Sequence, residues 1–285
     1  MRDSRAMAFR RSVHFPTAIA CVSFLAGCGA APSAAPARPG PAQRIVSLNP
    51  CIDAVLVEVA PPGRIAGISR YSHDPRASSI SRSIARRYPA VAAEADAIAP
   101  LRPDLVLADS LTPAPTVAAL QRFGIRVEQL PLAQTVAENR TQIAAIAALA
   151  GSPERGAALN ARIDAALART GGPGALPALI RQRSGLVPGA GTLPDELMRH
   201  VGLRNVAGDA GLGAWGVLPL ERLVARPPAL LLTDAGEGPA GLHPALRALG
   251  TRVTVAPLPM RLLNCGGPVI VPLVERLAAA RDAAA

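Results

Sequence analysis

The sequence predicts an α/β protein: two lobes, each a parallel sheet flanked by helices, joined by one long backbone helix, with a cleft between the lobes. Three observations carry this. After residue 43, short β-branched and apolar runs alternate with stretches of helical periodicity, the signature of parallel strands with crossover helices. One pattern occurs twice, as ADAIAPLRPDLVLAD (95–109) and as LERLVARPPALLLTD (220–234). Between them, SPERGAALNARIDAALARTGG (152–172) reads as a single uninterrupted helix.

The composition narrows the function classes. Half of the 285 residues are apolar, enough for a sizeable core, and only 2% are aromatic, so ring-lined surfaces are sparse. The formal charge is +10, and arginine supplies every cation because the chain has no lysine. No basic stripe interleaves with aromatics and no recognition-helix pattern occurs, so nucleic-acid binding is not expected.

The elements follow in order. Arg2, Arg5, Arg10 and Arg11 precede an apolar run from Phe15 to Leu25 that is too short to span a bilayer. A positive stretch followed by a short apolar one reads as a secretory signal, residues 1–27. It ends in LAGC (25–28), which resembles the bacterial lipobox. That resemblance implies a lipid-modified Cys28 at the mature N-terminus; an ordinary signal cut nearby is the alternative. Without residues 1–27 the chain is still about +7. Residues 28–43 form an Ala/Pro-rich tether, extended and semi-rigid. No later segment has the length and purity of a transmembrane helix, which leaves an exported domain in an oxidising compartment, attached to the membrane by its lipid alone.

The first lobe covers 44–151, with strands at Arg44–Leu48, Arg64–Ser69, Leu105–Ala108 and Val127–Leu130. Asn49-Pro50 ends the first strand, and Ile52, Val55, Leu56 and Val59 then fall at helical spacing. TVAALQRFGIRV (116–127) is a helix closed at Gly124 that feeds the next strand. In the interlobe helix, 152–172, Ser152 caps, Pro153 takes the first position and Glu154 the first turn. Running to about Arg169, it is roughly 25 Å long and stiff, which allows rocking rather than wide hinge closure. The second lobe covers 173–285. In the repeat, each copy carries an acid second (Asp96, Glu221), a proline (Pro103, Pro228), an apolar run and a terminal aspartate (Asp109, Asp234). An apolar run bounded this way suits a central parallel strand.

With these residues in view, the chain resembles the periplasmic solute-binding proteins of ABC importers whose lobes are joined by one backbone helix, the class that serves cobalamin, ferric siderophores and haem. RIVSLNP (44–50), PLRPDLVLA (100–108), GLRNVAG (202–208) with Trp215, and LERLVARPPALLLT (220–233) carry the resemblance in order. It covers nearly all of the chain after residue 43. It implies two Rossmann-like lobes, a periplasmic lipoprotein that is monomeric, no resident cofactor, and partners in a permease and its ATPase. It also implies that Asp96 and Glu221, one on each lobe, dock into arginine pockets of the permease. First-turn acids that favour a helix N-terminus are the plainer reading.

In such sheets ligands sit beyond the strand C-terminal ends: here Asn49-Pro50-Cys51, the loop 70–83, Asp109-Ser110, the stretch around Trp215, and MRLLNCGGP (260–268). The expected ligand-binding residues are Cys51, Tyr71, His73, Trp215, Arg261 and Cys265. Cobalamin binders of the class line the cleft with aromatics, and this chain supplies only Tyr71 and Trp215; siderophore binders use arginines, and Arg70, Arg76 and Arg261 are available. His200 and His243, at helix ends, read as structural.

Cys51 and Cys265 leave three readings open. An exported pair defaults to a disulfide. Two thiolates with His73 as a third ligand would suit zinc or copper. Inert thiols are the third. A cysteine at a helix N-terminus with His73 as base is also the only enzyme reading, and it lacks flanking glycines and an orienting third group. The function expected is capture of a metal chelate and delivery to a permease; the alternatives are a thiol-based metal or sensor module without a permease, and a cysteine-dependent enzyme.

Overall fold

The computed structural model describes residues 40–234 and 243–285. The signal segment, Cys28 and the tether up to residue 39 lie outside the described residues. Among those described, no helix is long and apolar enough to cross a membrane.

The first sheet holds β1 (Ile45–Ser47), β2 (Ile65–Ser69), β3 (Ala90–Val91), β4 (Leu105–Asp109) and β5 (Arg126–Leu130). Their order is β3-β2-β1-β4-β5, all parallel. The PDLVLAD run becomes β4 because every one of its five residues is buried; a strand covered on both faces needs an unbroken apolar run. The second sheet holds β6 (Leu176–Ile180), β8 (Leu203–Asn205), β10 (Leu230–Thr233) and β11 (Thr254–Pro257), ordered β11-β10-β6-β8 and again parallel. The repeat lands at matching places. β4 lies between β1 and β5, β10 lies between β6 and β11, and each follows a short helix, α3 (Ala95–Ile98) or α8 (Leu220–Ala225).

β7 (Leu186–Pro188) and β9 (Trp215–Val217) form a separate antiparallel pair in the second lobe, which the alternating pattern does not predict. The two segments meet because Gly189 and Gly213 permit backbone contact: a Cβ on Gly189 would stand 2.0 Å from the Gly213 carbonyl oxygen.

α5 (Val136–Leu149) and α6 (Pro153–Thr170) pass between the lobes. α6 has Pro153 in its first turn, but Ser152 does not cap it. The Ser152 hydroxyl donates instead to the Val59 carbonyl at 2.5 Å, because the residue is buried against the end of α1 (Pro50–Val59). The tether's last residues also pack earlier than expected: Ala42 is buried, and its N–H donates to the Leu149 carbonyl at 3.0 Å.

One core runs through both lobes. It joins Ile45, Ile52 and Val55 of the first to Leu159, Ile163 and Ala166 of α6, and on to Leu230, Ile270 and Leu277 of the second. Each fully buried side chain of this kind contributes about 1.5–3 kcal/mol. The C-terminal helix, α10 (Ile270–Ala284), packs on α6 and closes this core; the one-turn helix Pro244–Arg247 is α9.

Candidate functional site

The turn after β1 is built by Asn49. Its side-chain oxygen accepts from the N–H groups of Cys51 (2.7 Å) and Ile52 (3.3 Å), which caps α1. Its amide donates to Asp109 Oδ2 at 2.5 Å, tying the ends of β1 and β4 together. Asp109 is buried, and its Oδ1 accepts from the Leu111 N–H (3.1 Å) and the Thr112 hydroxyl (2.8 Å).

Cys51, in the first turn of α1, is bonded to Cys265 with the Cα atoms 5.0 Å apart. The bridge crosses from one lobe to the other beside α5. There the Gly267 N–H donates to Asn139 Oδ1 at 2.8 Å. A Cβ on Gly266 would stand 1.9 Å from that oxygen, so the two glycines of NCGGP serve the approach of α5.

A cavity of about 170 Å³ opens over this bridge, at the C-terminal ends of both sheets. The first lobe contributes Asn49, Asp109 and the start of α5; the second contributes Trp215, Asn264 and the start of α7 (Leu193–His200). Trp215, the only tryptophan, is 40% exposed. Leu132 on the cavity wall and Leu111 and Val217 elsewhere are also exposed.

Of the six expected ligand residues, Cys51, Trp215 and Cys265 line this cavity and the other three do not. Tyr71 is 52% exposed and lies under the Arg70 guanidinium, 5.2 Å from ring centre to carbon. His73 is turned inward, with Nε2 enclosed and without a hydrogen-bond partner. Arg261 lines a neighbouring interlobe groove with Arg76, and its Nη1 donates to the Ser79 carbonyl at 3.3 Å. The thiolate readings are corrected outright. Both sulfurs share one S–S bond, so neither can bind a metal or attack a substrate, and no group of three metal-ligating side chains occurs among the described residues. His200 Nε2 meets the Leu167 carbonyl at 2.8 Å, and His243 Nδ1 accepts from the Ala245 N–H at 3.2 Å, so both do structural work.

Gln134, Asn139, Gln142 and Thr192 line the cavity without having been expected there. The signal was available for the first three: the polar run after β5 is another strand end. Asp53 was also missed. It is fully buried in α1, and its Oδ2 accepts from the Ser69 N–H (2.9 Å) and the Ser72 hydroxyl (2.5 Å). Burial pushes its carboxyl up to about 7, against the lowering pull of hydrogen bonds from Ser47, Ser72 and Ser69. It anchors the Arg70–His73 turn from beneath.

Asp96 and Glu221 are exposed in the first turns of α3 and α8, at corresponding places in the two lobes.

A family model described as periplasmic binding protein matches residues 45–242. In the solved structures, the fold is similar to the periplasmic vitamin B12 binding protein BtuF of Vibrio cholerae (TM-score 0.69, 21% identity, covering 86% of this chain and 99% of that one). It is similar to the periplasmic heme-binding protein RhuT from Roseiflexus sp. RS-1 (0.65, 24%, 85% and 99%). It is also similar to the periplasmic heme-binding protein BhuT in complex with two hemes (0.63, 26%, 85% and 99%). No curated protein sequence matches the chain.

Proposed function

The chain belongs to the periplasmic binding protein family, and on that premise we propose that it captures a metal chelate of the cobalamin, haem or ferric siderophore type between its lobes and delivers it to the permease of an ABC importer. The observation that carries this is the cavity itself, lined from both lobes at the ends of both sheets and faced by the only tryptophan. The structural relatives named above bind vitamin B12 and heme, and their likeness supports the choice of ligand class. A chelate of that size exceeds 170 Å³, so it either seats across the open mouth of the cavity or parts the lobes by a small movement. The continuous core around α6 supports a rocking motion of this kind rather than a free hinge.

In this reading Asp96 and Glu221 register the two lobes on the permease, since charge pairs at an interface rim steer and orient association. A lipid on Cys28 holds the domain at the membrane. The relatives are binding proteins, and the bridged Cys51 offers no nucleophile.

Two measurements test the reading. Titrated with cyanocobalamin, hemin and a ferric siderophore, the emission of Trp215 is expected to quench saturably for one of them, with Trp215→Ala weakening calorimetric affinity by about 1–3 kcal/mol. No binding of any of the three ends the proposal. In cells, Glu221→Arg is expected to abolish uptake while leaving ligand affinity unchanged; undiminished uptake would remove the docking role.

A further inference from the structure

One short segment of the second lobe, residues 260–267, is fastened across to the first lobe and α5. The Arg261 guanidinium donates to the Ser79 carbonyl at 3.3 Å, the Asn264 amide donates to the Arg76 carbonyl at 3.1 Å, and the Gly267 N–H donates to Asn139 Oδ1 at 2.8 Å. The fourth tie is covalent, the Cys51–Cys265 bond. These ties are unequal. The Asn264 bond is exposed and the Arg261 bond half-buried, so water competes for both, and exchanging either for water costs little. The Gly267 bond is buried against α5, and Gly267 has a φ of +66° that leaves the backbone free to turn just after Cys265. The S–S bond is therefore what keeps residues 260–265 against the loop 76–79. It is also accessible. Both cysteines line the ligand cavity, Cys265 at 7% exposure and Cys51 half-buried, and exposed bridges are the ones open to thiol exchange.

We infer that the Cys51–Cys265 bridge is a redox latch on the cleft, opened by a protein dithiol in the exported compartment and closed again by exchange with a protein disulfide. A thiolate of the dithiol entering through the cavity mouth attacks the more exposed sulfur, that of Cys51. The S–S bond breaks, and Cys265 leaves as a thiolate that takes up the proton released by the attacking thiol. The second thiol of the reductant, as its thiolate, then displaces Cys51, which takes up the second proton. The reductant ends as a disulfide and the chain as two thiols, with two electrons and two protons transferred; closure is the reverse. Once reduced, residues 260–265 swing away from the loop 76–79 about Gly267. Building on the chelate-binding reading, the latch selects between two seatings: across the mouth when bridged, between the parted lobes when reduced. The unlatching itself needs no ligand.

The test starts from the folded, bridged chain, incubated with dithiothreitol without denaturant and trapped with iodoacetamide. Intact mass is expected to gain two carbamidomethyl groups while near-ultraviolet circular dichroism remains that of a folded protein. Amide hydrogen exchange then reads the latch directly: residues 76–79 and 260–265 should exchange at least about tenfold faster after reduction, with the strands of both sheets unchanged. Cys51→Ser with Cys265→Ser should show the reduced pattern and no response to dithiothreitol. A bridge that is reduced only once urea unfolds the chain overturns the latch. So does exchange that stays the same in those two segments, or that rises equally throughout the core, because the bridge would then be a staple alone. Hemin and cyanocobalamin read the consequence for the ligand. Association followed by Trp215 emission should be at least about tenfold faster with the reduced chain; equal rates would overturn the gating of the cleft. If neither probe binds either form, chelate capture fails, and hydrogen exchange still decides the latch.

Discussion

The carboxyl of Asp53 lies beneath the Arg70–His73 turn with Oδ2 hydrogen-bonded to the Ser69 N–H and the Ser72 hydroxyl. Its folded value of about 7 lies above the ordinary 3.8. The folded state therefore holds a proton that the unfolded chain has released. The stability this confers is fully present below about pH 4 and is lost as pH rises through 7. Urea midpoints are expected to fall across that window, and Asp53→Asn should flatten the slope; an unchanged profile would remove Asp53 as its source. The sequence did not mark this residue. Asp53 sits among Ile52, Ala54 and Val55 in a first helical turn, a place that usually reads as a solvated acid complementing the dipole. Only the neighbouring sheet decides that this acid is enclosed. His73 is a similar case: its polar loop pointed outward on paper, and packing turned its ring inward.

The pair α5–α6 is closely packed where Gly156 meets Ala147. A Cβ on Gly156 would stand 2.5 Å from the Ala147 Cβ. Two effects oppose each other in Gly156→Ala. Helix propensity favours alanine by about 1 kcal/mol, and overpacking costs about 1–3 kcal/mol. The overlap is with a short side chain that has no rotamer to escape into, so the variant is expected to be less stable, read as a lower thermal midpoint. A higher midpoint would mean that the helices separate freely. At this scale most of the chain was legible. β1, β2, β4 and β5 stand within about a residue of their expected places, β1 and β4 as compact, largely apolar runs that end at Asn49 and Asp109. The β7–β9 pair was not legible, because three-residue strands carry too few side chains to show a period, and the contact rests on glycine backbones far apart in sequence.

Cys51–Cys265 closes a loop across 214 residues of sequence. Constraining the unfolded chain over such a span stabilises by about 2–5 kcal/mol, so Cys51→Ser with Cys265→Ser should lower the midpoint by on the order of 5–15 °C. The bridge also ties the lobes on the side packed against α5. Small-angle scattering of the double variant is expected to show a larger radius of gyration without ligand; an unchanged radius would mean that the core around α6 alone fixes the lobes. From sequence, a disulfide between Cys51 and Cys265 had to compete with thiolate and inert-thiol readings, because two cysteines 214 residues apart carry no local mark of their pairing.

The sequence by itself determined the two-lobed α/β plan, the connecting helix, the place of the repeat and the strand ends at which a ligand would lie. Each is a local property: period, punctuation and burial of a run show in consecutive residues. The tertiary structure alone decided that Cys51 and Cys265 are joined, that Tyr71, His73 and Arg261 stand outside the cavity, and that Gln134, Asn139, Gln142 and Thr192 line it. Those depend on which side chains from distant segments meet and on which hydrogen bonds are already taken, and no local pattern records that.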